Sequence, residues 1–301
     1  MQVAHFGQKV VHFAKNWGET KIHAGLHKTG STSLQQALHT AGILQPSHRS
    51  DFREPDKLIE VLRNAKARRK VVSSEHFFGE MLTMYESAVE RFELLRATLD
   101  RSETTVYLRP HAEWHSSSFS QFIQQGTIIS SEKYETSVLR TRYFSWHRLA
   151  KDLLDRSSAS AKVRFRATFD VVSDYSLVLG VPLSKPNRHN SSLSPMAIEA
   201  QIRLSAEGFM EPKYLRKGLK NFMPESKTIS SVFSKDFQMS LKEMKQDWFQ
   251  MTKLLLGEGH QISEHWLTRY DQRVLPSTAE IFSKTDLLAA KRHVLRQTDR
   301  G

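Results

Sequence analysis

Cysteine is absent from the 301 residues of this chain. That absence excludes disulfides, thiolate metal ligands and cysteine nucleophiles, and it fits a reducing compartment such as the cytoplasm. No apolar run approaches the ~20 residues that a membrane-crossing helix needs. The first twenty residues lack a continuous apolar core followed by a small-residue cleavage site, so no secretory signal is expected. Internal repeats and long low-complexity linkers are also missing, and a single domain over residues 1–301 is the expectation.

What is present is the make-up of a soluble globular protein, with 39% hydrophobic and 25% charged residues, enough to bury a full core. The charge is unbalanced. Lys and Arg number 44 against 32 Asp and Glu, a formal net charge of +12. Such an excess favours an anionic partner and speeds its encounter. The densest cluster, Arg63, Lys66, Arg68, Arg69 and Lys70, has no aromatic residue interleaved. It reads as a solvated helix end more readily than as a nucleic-acid contact.

Short β-rich runs alternate with helical patterns along the first two thirds. The expected strands are 20–25, 69–74, 103–109 and 162–168, with helices near 31–41, 56–66, 85–99, 112–125 and 141–156. This alternation predicts an α/β fold, a mainly parallel sheet flanked by helices. After about residue 194 strand signals fade. Segments 195–208, 238–256 and 277–296 read as helices, with loops around Pro212, Pro224 and Pro276. An α/β core is therefore expected at about 20–193 and a helical C-terminal portion at about 194–301.

The richest segment is 21–36, KIHAGLHKTGSTSLQQ, an apolar stretch that runs into a glycine-bounded turn and then a helix. Gly25 and Gly30 permit backbone angles and close approaches that side chains would block. Thr29, Gly30, Ser31 and Thr32 offer backbone N–H groups at a helix start, where the dipole favours an anion. An NTPase loop places its lysine after the second glycine. Here that position is Ser31, and the lysine is Lys28, in mid-loop, over the terminal end of a bound phosphate chain.

Two further segments carry chemistry. In 104–126 a strand delivers Arg109 to its C-terminal end, the edge where open α/β sheets bind ligands, and Ser117 follows eight residues later. Guanidinium suits bidentate phosphate contacts, and a serine adds a directional donor. Ser116 and Ser118 flank that serine and leave its assignment open by one residue. In 70–79, KVVSSEHFFG, a carboxylate and an imidazole stand at the end of a core strand. Glu75 is the favoured proton acceptor, with His76 the alternative. In an extended chain His76 would lie opposite Glu75, beside Phe77.

The loop His27-Lys28-Thr29-Gly30-Ser31-Thr32 resembles the 5′-phosphosulfate loop of sulfotransferases that use 3′-phosphoadenosine-5′-phosphosulfate (PAPS), in particular bacterial members whose first strand and loop read much like HIGLHKTGTTSLQ. The resemblance covers approximately residues 20–200. It implies a P-loop-like fold, PAPS as co-substrate, and the 3′-phosphate held by Arg109 and Ser117. It also implies transfer of a sulfonate to an acceptor hydroxyl or amine without a metal ion. Related bacterial sequences carry a Ser-Ser-Glu stretch like Ser73-Ser74-Glu75, and an Asn/Ser-rich loop like 187–192. Arg216-Lys217-Gly218 resembles, superficially, a segment that helps hold the 3′-phosphate in cytosolic members. The aromatic residues at 143–146 read as core or as the lining of an acceptor cleft. A saccharide or other polyhydroxylated or anionic molecule is the expected acceptor. The rival readings are a P-loop kinase using Mg-ATP and a non-catalytic binder of an acidic glycan or nucleic acid.

Overall fold

A computed structural model describes residues 19–43, 54–68, 71–125, 130–168, 170–186, 193–220, 222, 233–259 and 284–298. Its centre is a sheet of four parallel strands: β1 (Thr20–Ala24), β2 (Val72–Ser74), β3 (Ser102–Tyr107) and β4 (Ala161–Arg166). The strand order is β2-β1-β3-β4. β4 alternates buried Ala161, Val163 and Phe165 with more exposed Lys162, Arg164 and Arg166, the period-two pattern of an edge strand. β3 is central and buried along its whole length, although it reads Ser-Glu-Thr-Thr-Val-Tyr. Its buried Glu103 is compensated by the neighbouring strands, through Lys21 at 3.5 Å and Arg164 at 3.2 Å.

Helices α1 (Ser31–Thr40) and α2 (Pro55–Arg68) connect β1 to β2, and α3 (Ala88–Thr98) connects β2 to β3. Between β3 and β4 lie α4 (His111–Gln124), α5 (Ser131–Leu139) and α6 (Trp146–Leu154), and α7 (Val171–Leu179) follows β4. The β1-to-β2 connection crosses the sheet in one direction and the later ones in the other. Right-handed crossovers therefore put helices on both faces. On one face Leu34 and Leu38 of α1 pack with Val171, Tyr175 and Leu179 of α7 and with Tyr107 of β3. Farther on come α8 (Pro195–Ala206), α9 (Pro212–Gly218), α10 (Lys235–Gly257) and α11 (Lys284–Thr298). The α/β expectation holds, and all four strands of the sheet are parallel.

Three helices were not foreseen. α5 is capped by Ser130, whose Oγ accepts from the backbone N–H of Lys133 at 3.2 Å. α7 is capped by Asp170, which accepts from the Ser173 N–H at 3.1 Å, and it ends at the left-handed Gly180. Around Pro212 the expected loop is instead helix α9. The proline occupies the first turn, where its missing N–H costs nothing. Strand 69–74 begins at Val72 among the described residues, and the expected loops at Pro224 and Pro276 lie outside them.

The chain divides into two compact units. The first comprises Met1–Pro110, Thr141–Arg188 and Lys245–Arg269, and the second His111–Arg140, His189–Met244 and Tyr270–Gly301. The first contains the whole sheet. In the second, Tyr134 is fully buried among Phe119, Phe233 and Phe237, with ring centroids 5.3 to 6.3 Å away. Gly218 lets α9 approach α11, because a Cβ there would sit 3.0 Å from Val294 Cγ1. That glycine serves packing.

Candidate active site

β1, β2 and β3 end at the same edge of the sheet, and β1 and β3 neighbour each other at the point where the strand order reverses. Ligands of open parallel sheets bind in the crevice outside that point. The loop after β1 is shaped by its own backbone. Thr29 donates to Leu26 O from its N–H at 3.3 Å and from its hydroxyl at 2.6 Å, closing a tight turn. Lys28 is the third residue of that turn, with φ of 65°, a left-handed conformation that only glycine adopts without strain. Gly30, at φ 96°, caps α1, and Leu34 N–H donates to its carbonyl at 3.1 Å. No acidic residue occupies the first turn of α1, so the positive end of its dipole is uncompensated there. Thr29 and Ser31 are buried, Lys28 half-buried and Thr32 exposed.

Gly25 is the closest approach in the loop. A Cβ at this position would lie 2.1 Å from Ser31 Oγ and 2.7 Å from His23 Nε2, so no other residue fits without rearrangement. Both of those polar atoms are buried without a hydrogen-bond partner among the described residues. Buried polar atoms left unmatched are costly, and at a loop of this shape they ask for an oxygen-bearing ligand or a water.

His23 on β1 is fully buried. Its Nδ1 lies 2.8 Å from Ser73 Oγ on β2, and its ring stands edge-on to Tyr175, 5.6 Å away. Burial pushes its pKa down to about 3, so the imidazole is neutral in the folded chain. His115, fully buried in the second unit, is shifted in the same direction by burial. The unfolded chain takes up a proton at such a site near pH 6.5 and the folded chain does not. Stability is therefore complete above pH 6.5 and lost as pH falls toward 3. At His23 this should cost about 2 kcal/mol between pH 6.5 and 5, at ~1.4 kcal/mol per pH unit, and burial of His115 adds in the same direction. Urea denaturation at pH 7 and pH 5 should show this slope, reduced by one proton in His23→Gln. An unchanged slope in that variant would locate the acid sensitivity elsewhere.

Opposite the loop stands the turn that follows β2. The strand ends at Ser74, and Glu75 to Phe78 form a turn closed by the Gly79 N–H donating to His76 O at 3.1 Å. Ser74 Oγ accepts from the His76 N–H at 3.0 Å, and Arg91 of α3 donates to the carbonyls of His76 and Phe77, each at 3.3 Å. The expectation that Glu75 and His76 point to opposite sides is thereby corrected. The chain is not extended there, and the turn gathers both side chains, with His76 Nε2 3.8 Å from Glu75 Oε1. His76 Nδ1 lies 3.8 Å from Glu80 Oε1 as well. Across from them, His27 is held by Tyr85, whose hydroxyl accepts from the His27 backbone N–H at 2.8 Å and lies 3.1 Å from its Nδ1. The His27 and His76 ring centroids are 4.6 Å apart, edge to face.

The backbone around this contact is unusual. Lys28, Met84 and Tyr85 are the non-glycine residues with positive φ among the described residues, and all three adjoin or form the His27–Tyr85 bond. Strain of this kind, about 1–3 kcal/mol each, persists where surrounding structure over-determines it and clusters at functional sites.

Arg109 lies just beyond β3, half-buried, and its carbonyl accepts from Trp146 Nε1 at 2.9 Å. Ser117, half-buried, stands in mid-helix on α4, in the second unit, whereas Arg109 belongs to the first. The neighbouring Ser118 is fully buried, and its Oγ has no hydrogen-bond partner among the described residues. Tyr143, Phe144 and Trp146 are core residues, at most 9% exposed. Segment 187–192 lies outside the described residues. Arg63 is exposed on α2.

Sequence reasoning missed Tyr85, Glu80 and the His23–Ser73 pair. The run Met81 to Ser87 matches no motif, and its role arises from two left-handed residues that propensity disfavours. No protein-family model matches the chain, and no curated protein or solved structure shows significant similarity to it.

Proposed function

We propose that this protein is a PAPS-dependent sulfotransferase. The observation that carries the reading is the loop after β1. Its buried Ser31 Oγ lacks a hydrogen-bond partner among the described residues, its Gly25 leaves no room for a Cβ, and its strained lysine stands beside the end of α1 that carries no acidic residue. In this reading the 5′-phosphosulfate lies against the backbone and side chains of His27, Lys28, Thr29, Gly30, Ser31 and Thr32, and Arg109 supplies the guanidinium for the 3′-phosphate. The acceptor oxygen attacks sulfur in line as the bond from sulfur to the bridging oxygen breaks. Its proton passes to Glu75, with His76 as the alternative base, and Lys28 offsets the charge that develops on the departing adenosine 3′,5′-bisphosphate. The transfer as written uses no metal ion. The excess of 12 positive charges supports an anionic or polyhydroxylated acceptor, of which a saccharide is the leading case. No helix among the described residues is long and apolar enough to cross a membrane, and the absence of cysteine supports a cytoplasmic setting.

Nucleotide preference tests the reading. At a hundredfold excess over its dissociation constant, adenosine 3′,5′-bisphosphate should stabilise the fold by about 2.7 kcal/mol. AMP at the same concentration should do far less, because it lacks the 3′-phosphate. A thermal-shift panel with both nucleotides, Mg-ATP and an oligosaccharide checks this. Equal shifts with AMP and the bisphosphate would remove the 3′-phosphate site. Stabilisation by Mg-ATP alone would transfer the assignment to a kinase, and by the oligosaccharide alone to a binding protein.

A further inference from the structure

His27, Glu75 and His76 each present one ligating atom, and the three atoms lie within 4.8 Å of one another. We infer that they form a binding site for a divalent transition-metal ion of the zinc class, with two imidazole nitrogens, one carboxylate oxygen and a fourth position open. The inference does not rest on the sulfotransferase reading, which needs no metal, but it uses three residues that the reading also employs.

The donor set comes first. Two histidines and one glutamate match the preference of zinc and its neighbours for nitrogen with a single carboxylate, and three protein ligands leave an exchangeable position. Calcium and magnesium prefer oxygen ligands throughout, which this cluster does not offer.

The surroundings orient both rings. A ligating histidine ordinarily directs its other nitrogen to a carboxylate, a carbonyl or another fixed oxygen, and that partner selects the tautomer. His27 Nδ1 lies at hydrogen-bond distance from the Tyr85 hydroxyl, 3.1 Å, whereas His76 Nδ1 is 3.8 Å from Glu80 Oε1, beyond hydrogen-bond distance. The Tyr85 bond leaves Nε2 of His27 for the shared space, and His76 Nε2 lies 3.8 Å from Glu75 Oε1. Both imidazoles are buried, at 2% and 6% exposure, so their directions are set by packing.

Size is compatible with an ion. Metal–ligand bonds of about 2.1 Å in tetrahedral array place ligand atoms roughly 3.4 Å apart. Contraction from at most 4.8 Å asks for a shift of about an ångström, which the Glu75 side chain, 26% exposed, can supply by rotation. An ion held here also occupies the carboxylate that would otherwise accept a proton. Metal occupancy and a free Glu75 base are alternatives.

Full-length protein stripped with a chelator and dialysed should bind Co2+ and Zn2+ at one high-affinity site per chain. Cobalt should give the intense visible bands of a low-coordinate site, which zinc then displaces. Glu75→Gln and His76→Ala should each abolish those bands. Tyr85→Phe keeps every ligand but removes the hydroxyl 3.1 Å from His27 Nδ1, and should weaken zinc binding about 10- to 100-fold in calorimetry, the usual effect of removing an orienting partner. His39→Ala, on the exposed end of α1, is the control and should bind as the parent does. Circular dichroism confirms that each variant is folded. Absence of a cobalt spectrum in the parent chain would overturn the site, as would unchanged spectra in folded Glu75→Gln and His76→Ala.

Discussion

Lys28→Gly should lower turnover by about 100- to 1000-fold while leaving the melting temperature unchanged or raised. The rate term follows from the proposed role of the ammonium. A single donor aimed at charge that appears in the transition state is worth that much in a site already organised to receive it. The stability term follows from the backbone. Lys28 sits at φ 65°, where a side chain is strained and glycine is not, so the substitution relieves a local cost of about 1–3 kcal/mol. A loss of activity through misfolding would move both quantities down together, and the opposite signs expected here separate the two causes. Steady-state assays with PAPS and a saccharide acceptor, alongside thermal melts, give the comparison. Turnover within a factor of a few of the parent would show that Lys28 does not stabilise the leaving group. Lys28→Arg keeps the charge and the strain, and should fall between the two.

Glu75→Gln should reduce turnover by about 100- to 10,000-fold, the range associated with a positioned base, with little change in affinity for adenosine 3′,5′-bisphosphate. The side chain is partly exposed, in the turn after β2, and an anionic carboxylate is not a group that holds an anionic nucleotide. The glutamine is nearly isosteric and keeps one acceptor oxygen, so the turn itself should persist. Because His76 Nε2 is only 3.8 Å away, both groups are placed to take the proton, and the variants decide between them. A His76→Ala chain without activity, beside a Glu75→Gln chain with normal turnover, would reverse the assignment. Assays run in chelator keep any bound metal from confounding the result.

The parts of the site that sequence made legible are those written in local chemistry. The glycines at 25 and 30 and the hydroxyl run after Lys28 announce a turn into a helix. The alternation of strands and helices announces a parallel sheet, as found. What remained hidden depends on contacts between distant segments. Tyr85 reaches His27 across 58 positions of sequence, and Ser73 reaches His23 across 50. The pairing of Glu75 with His76 was misjudged because strand periodicity was carried one residue too far. Arg91, which donates to the carbonyls of His76 and Phe77, tightens the chain into a turn at that point. Helix α9 was hidden for a different reason, since proline breaks helices in their interior and begins them at their first turn.

Ser73 has a consequence for timing. Its hydroxyl meets His23 of β1 at 2.8 Å, and its carbonyl accepts from Gln35 of α1 at 3.3 Å. The strand before the anion loop, the helix after it and the strand that delivers Glu75 thus share one anchor, one residue before the Ser74–Glu75 step. These two contacts tie the segments before and after the loop to the same strand. In the proposed reading an anion is captured at this edge, and the net charge of +12 should speed its encounter. Dilute salt would slow arrival without altering the shape of what the anion finds.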